Sequence, residues 1–393
     1  MQCAAPLYRL LLLFLHLLSY GNAWRLHMSA PPAGGPTSTS STSTRRSFVL
    51  GNTAAAAAAA SASGASPAFA AAATAAATAA SSSRVIGRAS GAISGGGLPL
   101  SVGLGTCLVR DGKSVVEQVS TAVAEGYRIF DTAQRYNNEA GVGRALRDAI
   151  GAGTLRREEV FLTTKVWCDN MGAEKTAPSV ERSAARLRLD PLNSDAPAKI
   201  DLVLIHWPGN FVPFAGASKE TLAANAALRK ETWRALETLQ AQGKVAQIGV
   251  SNYHERHFRE LLSYAKVRPA VSQFEVHPYN ARAPLIELCR REGVAVEAYS
   301  PLGGGGNANG VTAELLKDPV LTGIARRKKK TAAQVALRWH LQRGVTPIPK
   351  ASSRKRIAEN LAVFDFELSA AEMDAVSALD RGTFAIFDGD QLA

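Results

Sequence analysis

The chain has 393 residues, 46% of them hydrophobic, with a formal net charge of +12. That length leaves room for one large domain or two ordinary ones. The basic balance favours anionic ligands such as phosphates. No DNA or RNA motif accompanies it, and Arg326–Lys330, the one dense basic run, reads as the solvated end of a helix. The cysteines Cys3, Cys107, Cys168 and Cys289 include no CxxC pair and make no disulfide framework.

In chain order, residues 1–83 come first and stand apart. They hold four of the arginines and no acid; the first acid is Asp111. Without those arginines the rest of the chain keeps +8 of the +12. An arginine, an apolar run and Gly21-Asn22-Ala23 have the shape of a secretory signal peptide over about residues 1–23. Residues 24–83 then look like a transit peptide. Trp24 to Thr44 is rich in Ser, Thr and Pro, and the twin arginines Arg45 and Arg46 precede an alanine tract ending Ala-Phe-Ala. The series resembles the two-part plastid address of algae with secondary plastids, with the thylakoid lumen as a further destination. The alternatives are the secretory pathway and, for the Ala/Ser tract, a low-complexity linker. The segment is expected to be a disordered targeting extension, removed from a domain over residues 84–393. No stretch after residue 24 is long and apolar enough to span a membrane.

From Leu98 one unit repeats: a short Val/Ile-rich run, then an amphipathic stretch. Strands are expected at Val102–Gly105, Arg128–Asp131, Val160–Lys165, Ile200–His206, Ala246–Ser251, Ala270–Glu275, Ala295–Ser300 and Val345–Pro349. Their nearly continuous apolar character fits parallel strands buried on both faces. Helices are expected at Val115–Glu125, Glu139–Ile150, Pro178–Leu189, Ala226–Gln242, Glu255–Tyr264, Ala283–Glu292, Thr331–Gln342 and Lys355–Leu361, with Gly126 and Gly243 at stops. Eight units predict an α/β fold, the (β/α)8 TIM barrel. An open doubly wound sheet would carry GxGxxG after its first strand, and the chain has none.

Polar residues end three otherwise apolar strands: Asp131 in "IFD", Lys165 in "VFLTTK" and His206 in "DLVLIH". Tyr136 lies on the loop just beyond Asp131. In a barrel these four gather at the mouth where the strands end. Burying a lysine is costly unless it is paired, and Asp131 is the evident partner. A phenol with a pKa of about 10 is a poor acid; a nearby ammonium is expected to lower that value by stabilising the phenolate. The set suits protonation of an oxyanion formed by hydride attack on a carbonyl. His254 and His257, three residues apart on an expected helix, have no third partner and read as surface, so no metal is expected.

From about Leu98 to Asp380 the chain resembles the aldo-keto reductases. "LPLSVGLGT", "GYRIFDTAQRYNNEAGVGRAL", "FLTTKVW", "DLVLIHWPG", "IGVSNY", "SQFEVHPYN", "AYSPLGGG" and "IPKASSRKRIAEN" occur in order. The resemblance implies the catalytic tetrad Asp131, Tyr136, Lys165 and His206, and NADPH as hydride donor. It implies Thr106, Ser251, Asn252 and Gln273 as cofactor contacts, the last three at the nicotinamide carboxamide, and Tyr299 stacked on its ring. Ser300 and Leu302 begin the loop over the pyrophosphate. Lys350, Ser353 and Arg356 lie at the 2′-phosphate, and Glu359 and Asn360 at the adenine. Independently, cations and hydroxyls at a helix start make an anion site. Ala351 departs from the Ser that the resemblance leads one to expect after this Lys, which implies one phosphate hydrogen bond fewer. Cys107, Trp167, Trp207 and His206 are the expected substrate contacts, with Cys107 where relatives often carry an aromatic. The short tail from Thr383 points to an open site. The expected partner is a small carbonyl compound and the expected state a monomer. Running in the oxidising direction, or serving as an NADPH-sensing subunit, are the competing readings.

Overall fold

The structure, a computed structural model, describes residues 98–189, 199–210, 212–304 and 310–392. The targeting segment and nearly all of the "DPLNSDAPAK" insertion lie outside the described residues.

Eight strands form one sheet in the order of the chain: β1 (Leu104–Gly105), β2 (Ile129–Asp131), β3 (Phe161–Val166), β4 (Ile200–Ile205), β5 (Val245–Ser251), β6 (Val271–Glu275), β7 (Ala295–Tyr299) and β8 (Val345–Pro347). All seven neighbouring pairs are parallel. The expected strands are all present. β1 and β8 are shorter than the sequence reading because of how they meet. Gly103 N–H donates to Pro347 O at 2.9 Å and Gly105 N–H to Pro349 O at 3.1 Å, which joins β8 back to β1. The prolines accept across this seam but have no N–H to return, so a regular ladder cannot form. The two glycines are required there. A Cβ on Gly103 would lie 2.7 Å from Ile348 Cγ2, and one on Gly105 would lie 2.9 Å from Ile348 O.

Inside the sheet Leu98, Ile129, Leu202, Leu204 and Val271 fill one end, with Phe161, Ala270 and Ala295 against them. The larger core lies between sheet and helices and includes Val119, Val142, Val180, Trp233, Phe258, Leu285 and Trp339. Burying one such side chain stabilises by about 1.5–3 kcal/mol. Trp339 also finds a partner for its indole N–H in Ser377 Oγ at 2.9 Å.

The helices begin with α1 (Lys113–Glu125), α2 (Glu139–Gly151), α3 (Ala173–Leu187), α4 (Lys219–Ala241), α5 (Glu255–Tyr264) and α6 (Ala283–Arg291). They continue with α7 (Val311–Leu315), α8 (Pro319–Lys328), α9 (Ala332–Gln342), α10 (Arg354–Leu361) and α11 (Ala370–Ser377). Gly126, at φ 101°, closes α1, and Gly243, at φ 73°, follows α4. Three differences from the sequence reading have local causes. Pro178 lies inside α3 rather than at its start; the carbonyl it leaves without a donor belongs to Glu174, on the exposed face where water can serve it. The α4 helix starts seven residues early because Ser218 caps it, its hydroxyl accepting from Thr221 N–H. The helices α7 and α11 were not expected, and of α8 only the basic end was; Asp318 caps α8 ahead of Pro319, and Ser369 with Glu372 makes a capping box on α11. The Arg326–Lys330 run does end α8, where Arg327 and Lys328 pair with Glu372 and Lys330 with Asp365. Among the described residues no helix is long and apolar enough to cross a membrane.

Candidate active site

The ends of β2, β3 and β4 bring Asp131, Lys165 and His206 to one mouth, as the sequence reading expected. Lys165 Nζ lies 2.6 Å from each Asp131 carboxylate oxygen, 3.0 Å from Thr132 O and 3.3 Å from Tyr136 Oη. Lys165 is fully buried and Asp131 is 2% exposed. An ammonium so placed is tolerable because its charge is matched and its protons are directed at oxygens.

The motif around Tyr136 builds the loop that holds it. Thr132 Oγ1 donates to Asn138 Oδ1, and Asn138 Nδ2 donates to Thr106 O and Val109 O. Glu139, buried at the start of α2, accepts from Thr164 Oγ1 at 2.6 Å and pairs with Arg186 at 2.6 Å. Gln134 Oε1 accepts from Trp167 N–H and Asn170 Nδ2. Asn137, at φ 53°, turns the chain after Tyr136. Asn138, Glu139 and Gln134 were not singled out from the sequence, although they belong to the same motif.

Tyr136 is half-buried, and its hydroxyl meets both Lys165 and the Cys107 thiol. Its pKa direction corrects the sequence expectation. Burial pushes the phenol well above its ordinary value, and Cys107 and Asp131 push it further. The proton therefore stays on Tyr136 in the resting protein. It can leave only when a stronger base appears beside it, and the Lys165 ammonium then faces the phenolate. His206 sits edge-on to Tyr136 and to Trp167, with ring centroids at 5.7 Å and 5.1 Å, and stacks on Trp207 at 6.5 Å. Burial, then the charges of Lys165 and Arg135, hold its pKa well below the ordinary imidazole value, so the ring is neutral. Its Nδ1 is buried without a hydrogen-bond partner.

The expected substrate contacts surround this centre. Trp167 touches His206, and Trp207 meets Phe387 at 5.9 Å. Cys107 is exposed at the mouth; its thiol end nonetheless sits against Tyr136, and desolvation raises its pKa. The tail is short but does not leave the site bare. Ala385 and Ile386 N–H donate to the Glu275 carboxylate at 2.5 and 3.0 Å, and Phe384 stacks near His254. These bonds bring Phe387 to Trp207, so the open mouth expected from tail length is partly walled. The tail also corrects the reading of His254 and His257 as surface residues: they are 5% and 2% exposed. His257 lies on the inner face of α5, and Gly389 closes over His254.

The remaining expected residues lie around the same mouth. Asn252, at φ 62°, donates through Nδ2 to His206 O and Ser251 Oγ and accepts from Tyr299 Oη at 2.7 Å. Thr106 Oγ1 donates to Asp131 O, which fixes the strand end below the tetrad. Ser300, at φ 48°, turns β7 into a loop carrying Leu302. Beyond β8, Lys350 and Arg356 are exposed, and Ser353 caps α10, its hydroxyl accepting from Arg356 N–H and Nε. Glu359 and Asn360 lie on α10, Asn360 buried. Ala351 is buried, its carbonyl accepting from Gln118 Nε2. Gln273 Nε2 turns inward to Asp131 Oδ2 at 2.9 Å. A polar cavity of about 290 Å³ lies behind the Tyr136 loop, lined by Gln134, Glu139 and Arg186, whose side chains are already bonded. It is separate from the tetrad.

Residues 101–381 match the family model described as Aldo/keto reductase family. The chain belongs to the aldo/keto reductase family. This aldo/keto reductase is 42% identical over 279 residues to a glyoxal reductase of Bacillus subtilis, covering 71% of this chain and 88% of that one. It is 40% identical over 291 residues to aldo-keto reductase family 1 member A1 of Rattus norvegicus, covering 72% and 86%. The crystal structure of a Bombyx mori aldo-keto reductase in complex with NADP is similar at TM-score 0.65 and 34% identity, covering 75% and 92%. The family reduces carbonyl compounds with NADP(H), and this member is an NADP-dependent oxidoreductase. Its residues fit that cofactor: two exposed cations flank a serine-capped helix start, a ready site for a phosphate.

Proposed function

We propose that this aldo/keto reductase reduces small aldehydes and ketones to alcohols, with Tyr136 as the general acid, assisted by Lys165, Asp131 and His206. The observation that supports this reading most is the Lys165 ammonium, held 2.6 Å from the Asp131 carboxylate and 3.3 Å from the Tyr136 hydroxyl. NADPH, when bound, supplies the hydride. Ser251, Asn252 and Gln273 would hold its carboxamide end, Tyr299 its ring, Ser300 and Leu302 its pyrophosphate, and Lys350, Ser353 and Arg356 its 2′-phosphate. Neutral His206 orients the carbonyl oxygen by hydrogen bonding. Tyr136 keeps its proton until negative charge builds on that oxygen, then transfers it along the hydrogen bond. Asp131 fixes Lys165, and Lys165 stabilises the phenolate that remains. Proton transfer of this kind is worth about 10²–10⁴ in rate.

Trp167, Trp207 and Phe387 wall the pocket, and Cys107, smaller than an aromatic, sits against the Tyr136 hydroxyl. That combination favours compact, partly apolar carbonyls. One relative is named a glyoxal reductase, so small dicarbonyls head the candidates. A panel of dicarbonyls, aliphatic aldehydes and bulky ketones, followed by NADPH consumption, tests this; equal turnover of bulky ketones would sink the size argument. Residues 1–83 support delivery of the mature protein to a plastid. Amino-terminal sequencing of the protein recovered from plastids tests the address, and finding the intact leader on protein outside them would overturn it.

A further inference from the structure

One buried acid below the tetrad has no part in the mechanism above. Glu297 is the third residue of β7, fully buried inside the sheet. Its Oε2 accepts from Gln273 Nε2 at 2.5 Å, and the same amide nitrogen donates to Asp131 Oδ2 at 2.9 Å. One NH₂ group therefore bridges two carboxyl groups with its two hydrogens. Glu297 Oε1 has no partner. The charged groups facing Glu297 are Asp131 from β2 and Lys165 from β3; β6 offers the neutral Gln273 amide, and its register partner on β8 is the uncharged Thr346.

These charges balance in only one way. Lys165 carries one positive charge and Asp131 takes both of its short bonds. An ionised Glu297 would leave a net negative charge on fully buried groups. We propose that Glu297 is a positioning residue for the Lys165–Tyr136 proton donor: protonated it leaves the pair balanced, and ionised it opposes proton release from Tyr136. The sign follows from the step itself. When the Tyr136 O–H bond breaks, its proton goes to the substrate oxygen and its electron pair stays on the phenolate. A second carboxylate nearby destabilises that phenolate and draws on the same ammonium. Burial, then the Asp131 charge, pushes the Glu297 pKa up to about 8. Tyr136 and Cys107 are both raised from their ordinary values, so neither accounts for an alkaline limb in that region.

The inference rests on Tyr136 being the proton donor, and two readouts separate the ideas. With the full chain, infrared spectra across a pH titration report the protonated Glu297 carboxyl without any turnover. The expected result is a carboxylic acid band present at pH 7, lost above about pH 8 and missing from Glu297→Gln. Absence of the band at pH 7 overturns the proposal whether or not the enzyme is active. The second readout is the pH profile of carbonyl reduction at saturating NADPH. One pKa unit of coupling corresponds to about tenfold, so the wild-type rate is expected to fall about tenfold between pH 7 and 9.5. Glu297→Gln, which keeps an acceptor for Gln273, is expected to fall less than about twofold. Should that chain misfold, Glu297→Thr offers a hydroxyl acceptor on a β-branched side chain and carries the same expectation. Identical alkaline limbs in wild type and variant overturn the assignment.

Discussion

Replacing Lys165 with methionine separates what the buried ion pair does for folding from what it does for chemistry. The side chains of Lys165 and Asp131 are 0% and 3% exposed. Methionine fills much of the same space but removes the ammonium, leaving Asp131 with only the Gln273 N–H on its carboxylate. Breaking a buried pair from one side costs about 3–5 kcal/mol. At about 2–4 °C per kcal/mol for a domain of this class, Tm is expected to fall by roughly 6–20 °C. The double variant Lys165→Met/Asp131→Asn removes both charges while the asparagine still accepts from Gln273. It is expected to recover most of the lost stability, because neutral replacements of a buried pair are commonly near neutral. Activity is expected to part company with stability. Both variants lose carbonyl reduction by about 10²-fold or more, because no cation then faces the Tyr136 phenolate. The assays are thermal and denaturant unfolding beside NADPH consumption. A single variant within about 1 kcal/mol of wild type, or a double variant that regains turnover with stability, would refute the reasoning.

Two further outcomes are expected. Burial and Lys165 hold His206 neutral, with its pKa lowered, so its protonation begins only well below pH 6.5. The kcat profile should show no break near pH 6.5 that His206→Gln removes; such a break would show a charged imidazole. Lys350→Ala and Arg356→Ala should each raise the KM for NADPH by about tenfold or more, because hydrogen bonds between charged groups are worth about 1.5–3 kcal/mol. The KM for NADH should stay unchanged; an equal loss for both cofactors would move these cations away from the 2′-phosphate.

Much of the site was legible because polar residues at strand ends interrupt apolar runs. Asp131, Lys165 and His206 each end such a run, and a barrel brings strand ends together. Tyr136 was legible as the only phenol on the loop after Asp131. Other features depend on contacts between distant segments. The β8–β1 seam rests on proline carbonyls that no periodicity records. The walls added by Phe384 and Phe387 depend on Glu275 capturing the tail. The upward shift of Tyr136 reflects burial, whereas the sequence reading weighed only the neighbouring ammonium. Glu297 carries a faint signal, an acid inside the apolar run "VAVEAY", but its bridge through Gln273 to Asp131 is a tertiary fact. The helices α8 and α11 were announced by Asp318-Pro319 and by Ser369 with Glu372, signals that the repeating strand–helix rhythm obscured.

The measurement that tests the central claim most directly is NADPH oxidation by the full chain over aldehydes and ketones, beside Tyr136→Phe. Phenylalanine keeps the ring and its contacts with His206 but removes the proton. The account predicts turnover by wild type, a loss of about 10²-fold or more in the variant, and unchanged NADPH binding. A Tyr136→Phe chain that reduces carbonyls at close to the wild-type rate would contradict it.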